Sequence, residues 1–306
     1  MHTTPGPRDD TEIPDYLRAL GVPGIADVHV HFMPQNVLDK VWDFFDHVGD
    51  DGGGTPWGIA YRTPEDERVA TLDRLGVVAY PTLNYAHRPG MAAWLNAYSK
   101  DFAVRHPRAV PSGTFFAEAS ATADAQAALA DGARIFKIHV QVGAFAPDDP
   151  ILDGAWSALA DAGVPAVVHC GSGPHGGRYT GPARIAALLR RHPRLQLIIA
   201  HAGMPEYAAF TDLADEYPGV CLDTTMVCTD YGQVLAPVPD TVLERWRDMP
   251  EKIVLGTDFP NIPYPYAHQL AVLADLGFGD DWMRAVLWHN GARLMRVTRA
   301  VGEPLR

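Results

Sequence analysis

Short apolar runs alternate along this chain with longer stretches whose apolar residues recur every three to four positions, the two periods of strands and amphipathic helices. The runs predict strands over 25–31, 77–83, 109–116, 134–140, 165–170, 196–201, 220–225 and 252–258. The helical spacing predicts helices over 90–105, 122–131, 152–162, 182–191, 205–216, 240–248 and 265–276, with two more, 280–289 and 290–297, closing the chain. Thr63, Pro64 and Glu65 predict another helix start, with Thr63 as N-cap and Pro64 at the first helical position, running to Leu75. Each strand is thus followed by a helix, and eight such units predict a closed (β/α)8 TIM barrel of the α/β class. A doubly wound open sheet shares the alternation. No Gly-x-Gly-x-x-Gly turn follows any strand, however, and an open sheet would not gather the ends of strands one, five, six and eight around one centre.

Residues 1–24 read as an N-terminal tail, mobile and polar at first, with a short helical turn at 14–20. Residues 25–306 read as a single barrel domain with an insertion after strand one. The insertion holds a helical stretch at 36–48, a flexible polar stretch at 49–54, and then Trp57, Tyr61 and Arg62.

Composition narrows the function. At 306 residues with 47% apolar and 20% charged residues, the chain reads as an ordinary soluble globular protein. A net charge of −12 with no cluster of Lys and Arg argues against a nucleic-acid surface; Arg190, Arg191 and Arg194 read as the solvated end of a helix. No run of ~18 apolar residues predicts a membrane span, and the first ten residues lack the apolar core of a signal peptide. Cys170, Cys221 and Cys228, odd in number and without framework spacing, fit free thiols in a reducing compartment, so a cytoplasmic location is expected.

Asp27-Val28-His29-Val30-His31 is an apolar run in which every second residue is ionisable. On a strand, Asp27, His29 and His31 share one face, so two imidazoles can reach one metal ion. Three further strands end in a residue that binds metal or moves protons: His169, His201 and Asp258. One such ending is ordinary; four make coincidence a poor account. By parity His139 shares a face with Lys137, His169 with Val167, His201 with Ile199 and Asp258 with Gly256, all pointing inward if His29 and His31 do. Imidazole nitrogen and carboxylate oxygen suit Zn²⁺ and some Fe, Mn or Co sites. Three histidines and one aspartate around an ion with an open position would describe a hydrolytic site, since the ion lowers the pKa of water from ~15.7 toward ~7 and polarises a carbonyl. His201 would be free for proton transfer, to which an ordinary pKa of ~6.5 is suited.

Asp-x-His-x-His at 27–31, Lys-x-His at 137–139, Val-His-Cys-Gly at 168–171, Ile-Ala-His-Ala-Gly at 199–203 and Gly-Thr-Asp-Phe-Pro at 256–260 fall in order on strands one, four, five, six and eight. In this they resemble the amidohydrolase superfamily. They are most similar to its amidohydrolase-related (family 2) branch, which includes aminocarboxymuconate semialdehyde decarboxylase, resorcylate decarboxylases and pyrone-dicarboxylate lactonase. The closing His-Asn-Gly-Ala-Arg-Leu at 289–294 also resembles that branch. The resemblance implies one Zn²⁺ per chain, with Mn, Fe or Co as alternatives, held by His29, His31, His169 and Asp258. It further implies that His201 activates or orients the water and that Asp258 doubles as a proton acceptor. Members of the branch hydrolyse C–O or C–N bonds or remove CO₂ on nearly the same residues. The expected function is therefore metal-dependent hydrolysis of a lactone, ester or amide, with non-oxidative decarboxylation of an aromatic or unsaturated acid as the alternative. In binuclear members of the wider superfamily a strand-four lysine is carboxylated to bridge two metals. Lys137 holds that position, and the competing expectation is a buried ammonium paired with Asp27 or Glu118.

Substrate contacts are expected from loops after the strands. The candidates are Trp57, Tyr61 and Arg62; Asn84, Tyr85 and His87; His139; and His175 and Arg178 in the glycine-rich loop 171–181, a candidate lid. Arg62 and Arg178 could fork a substrate carboxylate. Pro260, Pro263, Tyr264 and Pro265 would wall the site, and His47, His106, His192 and His268 read as surface or helix-terminal residues. The expected partner is a small molecule, carboxylic acids among the candidates, with a homodimer as the expected assembly by analogy with the branch.

Overall fold

Strands that are apolar on both faces belong in a parallel sheet covered by helices. The computed structural model describes residues 3–48, 57–173 and 176–297, and in it the apolar runs form nine short strands. These are β1 (Ile25–Ala26), β2 (Val77–Pro81), β3 (Ala109–Val110), β4 (Ser112–Gly113), β5 (Ile135–His139), β6 (Ala166–His169), β7 (Leu197–Ile199), β8 (Val220–Asp223) and β9 (Ile253–Val254). All pair in parallel and in chain order, as β1-β2-β3 and β4 through β9.

Nine strands fill eight barrel positions because the run expected at 109–116 divides at Pro111. β3 pairs with β2 through Tyr80↔Ala109, while β4 pairs with β5 through Ser112↔Ile135. Proline has no N–H to donate, so the ladder breaks where the chain passes it. Closure comes from the other side. Val28 N donates to the Leu255 carbonyl at 2.9 Å, Asp258 N to that of His29 at 2.8 Å and His31 N to that of Phe259 at 2.7 Å, with Val30 bridging Phe259 in parallel. The first and last barrel positions are therefore neighbours, and the closed TIM barrel of the α/β class is what the chain forms.

Residues 3–24, expected as a tail mobile at its start with a short helical turn at 14–20, are instead packed onto the barrel. Helix α1 (Ile13–Leu20) buries Ile13, Tyr16, Leu17 and Leu20, a spacing of i, i+3, i+4 and i+7 that makes one apolar stripe. Thr4 donates from its backbone N and from Oγ1 to Asp280, at 2.7 and 3.0 Å. The polar first ten residues masked that stripe in the sequence.

In the insertion, helix α2 (Gln35–Asp46) is fastened by Trp42, whose Nε1 donates to Asn261 Oδ1 at 3.1 Å. Helix α3 (Glu65–Arg74) contributes Arg68, a buried guanidinium lying 5.3 Å from the Trp42 ring and 5.6 Å from the Phe32 ring. This helix starts one residue later than expected: Pro64, at ψ 157°, is still extended and takes the cap position in place of Thr63. Glu65, Asp66 and Glu67 then fill the first turn, where they complement the helix dipole. The stretch expected to be flexible, 49–54, lies outside the described residues.

The two terminal helices merge. Helical backbone runs from Asp280–Arg284 through a π turn at Ala285–His289 into Asn290–Leu294. Asn290 Nδ2 donates to the carbonyls of Pro250 and Ile253, both at 2.7 Å, and ties the helix to β9. One large cluster of buried apolar side chains runs from Ile13 to Met295, and the three cysteines are free thiols. Among the described residues no helix is long and apolar enough to cross a membrane.

Candidate metal centre

The strand expected over 25–31 ends at Ala26, but the backbone beyond it stays bonded to the segment after β9 through Val28, His29 and His31, and both imidazoles turn toward Asp258 while Val28 and Val30 are buried. His29 Nδ1 lies 2.9 Å from Asp223 Oδ2 and 3.0 Å from Thr225 Oγ1; His31 Nδ1 lies 2.9 Å from the Leu83 carbonyl. A carboxylate or carbonyl can only accept, so each ring carries its proton on Nδ1 and presents a lone pair at Nε2. His31 Nε2 is 2.9 Å from Asp258 Oδ1, and His29 Nε2 is 3.6 Å from the same oxygen. Lone pairs this close, in a buried site, repel unless a positive centre stands among them. The ligand atoms of His29, His31 and Asp258 all lie within 4.8 Å of one another, so the donor set fits a divalent cation.

Parity does not place every member. β7 ends at Ile199, and His201 follows in a left-handed turn at φ 54°; β9 ends at Val254, and Asp258 sits at φ 71°. Both strands were expected to run on to these residues. Left-handed backbone in non-glycine residues is strained and persists where surrounding contacts over-determine it. Those contacts are present. Asp223 accepts the His201 N–H at 2.8 Å and the Thr225 N–H at 3.0 Å, and the Thr225 carbonyl lies 3.2 Å from His201 Nδ1. His201 Nε2 is therefore also left as an acceptor. Gly256 lets β9 come this near: a Cβ there would meet Thr225 Oγ1 at 2.4 Å, His29 Cβ at 2.8 Å and Asp223 Cγ at 3.0 Å.

Asp223 was not among the residues singled out from the sequence. The rule that flagged its neighbours, an apolar run ending in an ionisable residue, applies equally to 220–223. It escaped because it touches the cation site only through His29.

The charges follow the geometry. Burial pushes the Asp258 carboxyl up, but the close imidazoles, His31 first and then His29 and His201, outweigh it and hold the group well below the usual carboxylate range. Burial likewise opposes ionisation of Asp223, yet the charge and hydrogen bond of His29 bring it down to about 2. His29 is lowered to about 4 by burial and then by Lys137, and burial lowers His201.

Lys137 is buried with Nζ 2.8 Å from His29 Nε2, and burial lowers it to about 8. It pairs with neither expected acid. Asp27 accepts from Thr257, Tyr266 and the His29 backbone, while Glu118 accepts from Gly90 N on the surface. From β5, Lys137 reaches His29 instead.

The other expected residues divide. His169 stands beside the donor set rather than in it, its ring 4.8 Å from His201 and stacked on His139 at 4.1 Å; the two are register partners on adjacent strand tips. Tyr85 does line the centre, 6.1 Å from the His31 ring and 5.0 Å from that of His139. Tyr61 is structural: its hydroxyl donates to Asp10 and accepts from Tyr266 N. Trp57 Nε1 donates to the Asn261 carbonyl at 2.7 Å, and its ring packs with Phe45, Tyr231 and Tyr264 near the loop after β9. Asn84 Nδ2 holds the Phe32 carbonyl. Neither arginine forks toward the centre: Arg62 is bound to Asp46 at 2.5 Å, and the exposed Arg178 stacks on Tyr179 at 5.3 Å. His175 lies outside the described residues. His47, His106 and His192 are helix C-caps, as expected.

The family profile described as amidohydrolase matches residues 26–297. No curated protein matches the sequence. Among solved structures, an uncharacterized TIM-barrel protein from Bordetella bronchiseptica is similar at 20% identity, over 88% of this chain and 98% of its own, with a TM-score of 0.68. A 5-carboxyvanillate decarboxylase from Novosphingobium aromaticivorans, in complex with manganese and 4-hydroxy-3-methoxy-5-nitrobenzoic acid, is similar at 13% identity over 91% and 97%, with a TM-score of 0.60. A probable 2-pyrone-4,6-dicarboxylic acid hydrolase from Acinetobacter baumannii with citric acid bound is similar at 13% identity over 89% and 99%, with a TM-score of 0.58.

Proposed function

This chain belongs to the amidohydrolase family, and from that premise we propose that it hydrolyses a small carbonyl substrate, a lactone, ester or amide, in a metal-dependent reaction. His29 Nε2, His31 Nε2 and the Asp258 carboxylate would hold one divalent ion, Zn²⁺ or Mn²⁺, with His169 as the further ligand from the neighbouring strand tip. When bound, such an ion supplies Lewis-acid polarisation of the carbonyl and acidifies a water. The observation that carries the reading is the bond between His201 Nδ1 and the Thr225 carbonyl, which leaves Nε2 as an acceptor beside the donor set. His201 takes the proton from the attacking water as its oxygen forms the new bond to the carbonyl carbon. It returns that proton to the leaving oxygen or nitrogen when the C–O or C–N bond breaks. Asp223 keeps His29 and His201 aimed throughout.

A second reading, loss of CO₂ from an aromatic or unsaturated acid with His201 delivering a proton to the carbon left behind, is favoured by the likeness to a 5-carboxyvanillate decarboxylase over 91% of this chain. One experiment separates the two. Metal-loaded protein is incubated in H₂¹⁸O with pyrone and lactone carboxylates and with ¹³C-carboxyl-labelled hydroxybenzoates. Solvent ¹⁸O in the product acid supports hydrolysis; ¹³CO₂ release without ¹⁸O incorporation overturns it in favour of the second reading.

A further inference from the structure

Of the three residues in the donor set, Asp258 alone brings a carboxylate, yet it sits in left-handed backbone at φ 71°, which a non-glycine residue keeps where its neighbours hold it there. On one side the hold comes from the first barrel position: Asp258 N donates to the His29 carbonyl at 2.8 Å, and His31 N to that of Phe259 at 2.7 Å. On the other side it comes from the insertion. Asn261 N donates to the Asp258 carbonyl at 2.8 Å, closing a turn, and Asn261 is itself gripped twice. Its Oδ1 accepts from Trp42 Nε1 at 3.1 Å, and its backbone carbonyl accepts from Trp57 Nε1 at 2.7 Å. Ala60 N adds a bond to the Ile262 carbonyl at 2.9 Å.

These contacts are placed to resist movement. Trp42, Asn261 and Ile262 are buried, and the Trp42 ring is backed by the buried guanidinium of Arg68 at 5.3 Å. Arg68 Nε and Nη1 have no hydrogen bond among the described residues, so the aromatic faces of Trp42 and Phe32 are what its charge meets. Packing a helix against the barrel needs apolar rings. It does not need two indole N–H groups, 15 residues apart in the chain, converging on one residue three positions from a ligand. We propose that Trp42, Trp57 and Asn261 are positioning residues: the insertion braces the loop after β9, and through the bond from Asn261 N to the Asp258 carbonyl it keeps the Asp258 carboxylate aimed at the cation site. The inference rests on the reading under Proposed function in taking Asp258 as a metal ligand; the brace on the loop does not.

Co²⁺ serves as probe, because its visible bands follow the geometry of its ligands while competition with a chelator gives its affinity. Trp42→Phe and Trp57→Phe keep a ring and remove the N–H. Each should weaken Co²⁺ binding about tenfold, the lower end of the cost of losing a group that orients a ligand, and should shift the bands. Asn261→Ala should cost at least as much, and adding Trp42→Phe to it should cost nothing further, because the acceptor is already gone. A lower thermal midpoint with parent-like Co²⁺ affinity and bands in both tryptophan variants would overturn the brace, as would a full additional loss in the double variant. Failure of the parent to bind Co²⁺ would sink the metal reading alone. The brace is then read in metal-free protein, where the amides of Asp258 and Asn261 should exchange with D₂O about tenfold faster in the tryptophan variants than in the parent. Equal exchange rates would overturn it.

Discussion

The two halves of the barrel mouth are built differently. Around β1, β8 and the loop after β9, every imidazole is fixed through Nδ1: His29 to Asp223, His31 to the Leu83 carbonyl, His201 to the Thr225 carbonyl. At the tips of β5 and β6 the rings of His139 and His169 stack at 4.1 Å; His139 Nδ1 accepts one backbone N–H, from Val142 at 3.3 Å, and among the described residues His169 makes no hydrogen bond through its ring. Directional bonds fix both tautomer and aim, which a cation site needs; stacking fixes the ring but leaves its edge for whatever arrives. The first half is thus fixed by directional bonds, and the second chiefly by ring stacking. The side chains expected to receive the substrate from the insertion are instead engaged elsewhere: Arg62 by Asp46, Trp57 by the Asn261 carbonyl and Tyr61 by Asp10.

The most severe test of this contrast is Asp258→Ala. Removing the oxygen toward which His29 and His31 converge should abolish stoichiometric metal after dialysis, read by elemental analysis, and turnover with it. Full occupancy would show that the grip lies elsewhere. His201→Asn should retain metal and lower turnover by ~10²-fold or more, because it removes only the acceptor at Nε2. Asp223→Asn tests whether aim matters apart from ligation: metal affinity, measured against a chelator, should fall by ~10–100-fold, the usual cost of losing a group that orients a ligand. An unchanged affinity would reduce Asp223 to a backbone tie. Least affected should be Arg62→Ala. Its pair with Asp46 is exposed to solvent, so both the thermal midpoint and the metal content should match the parent.

The fold and half of the grip were legible early because both follow from local periods. Apolar runs followed by helical stretches specify the parallel barrel, and period two along 27–31 puts His29 and His31 on one face. The same rule misled at His201 and Asp258, where the chain leaves the strand for left-handed backbone, and at 109–116, where Pro111 splits the ladder. Lys137 was placed on the correct face but given the wrong partner, because what lies across a barrel is not written in neighbouring residues. The helical turn at 14–20 was read, but not the apolar stripe by which α1 packs onto the barrel.

Alternation and residue type by themselves determined the architecture and put His29 and His31 forward, on one face, as candidate ligands. The tertiary structure alone decided which nitrogen each imidazole presents, and that Asp223 does the aiming. The reason is distance along the chain. His29 takes its orienting carboxylate from 194 residues away and His31 its carbonyl from 52, so the proton positions that give the site its chemistry exist only once the barrel has closed.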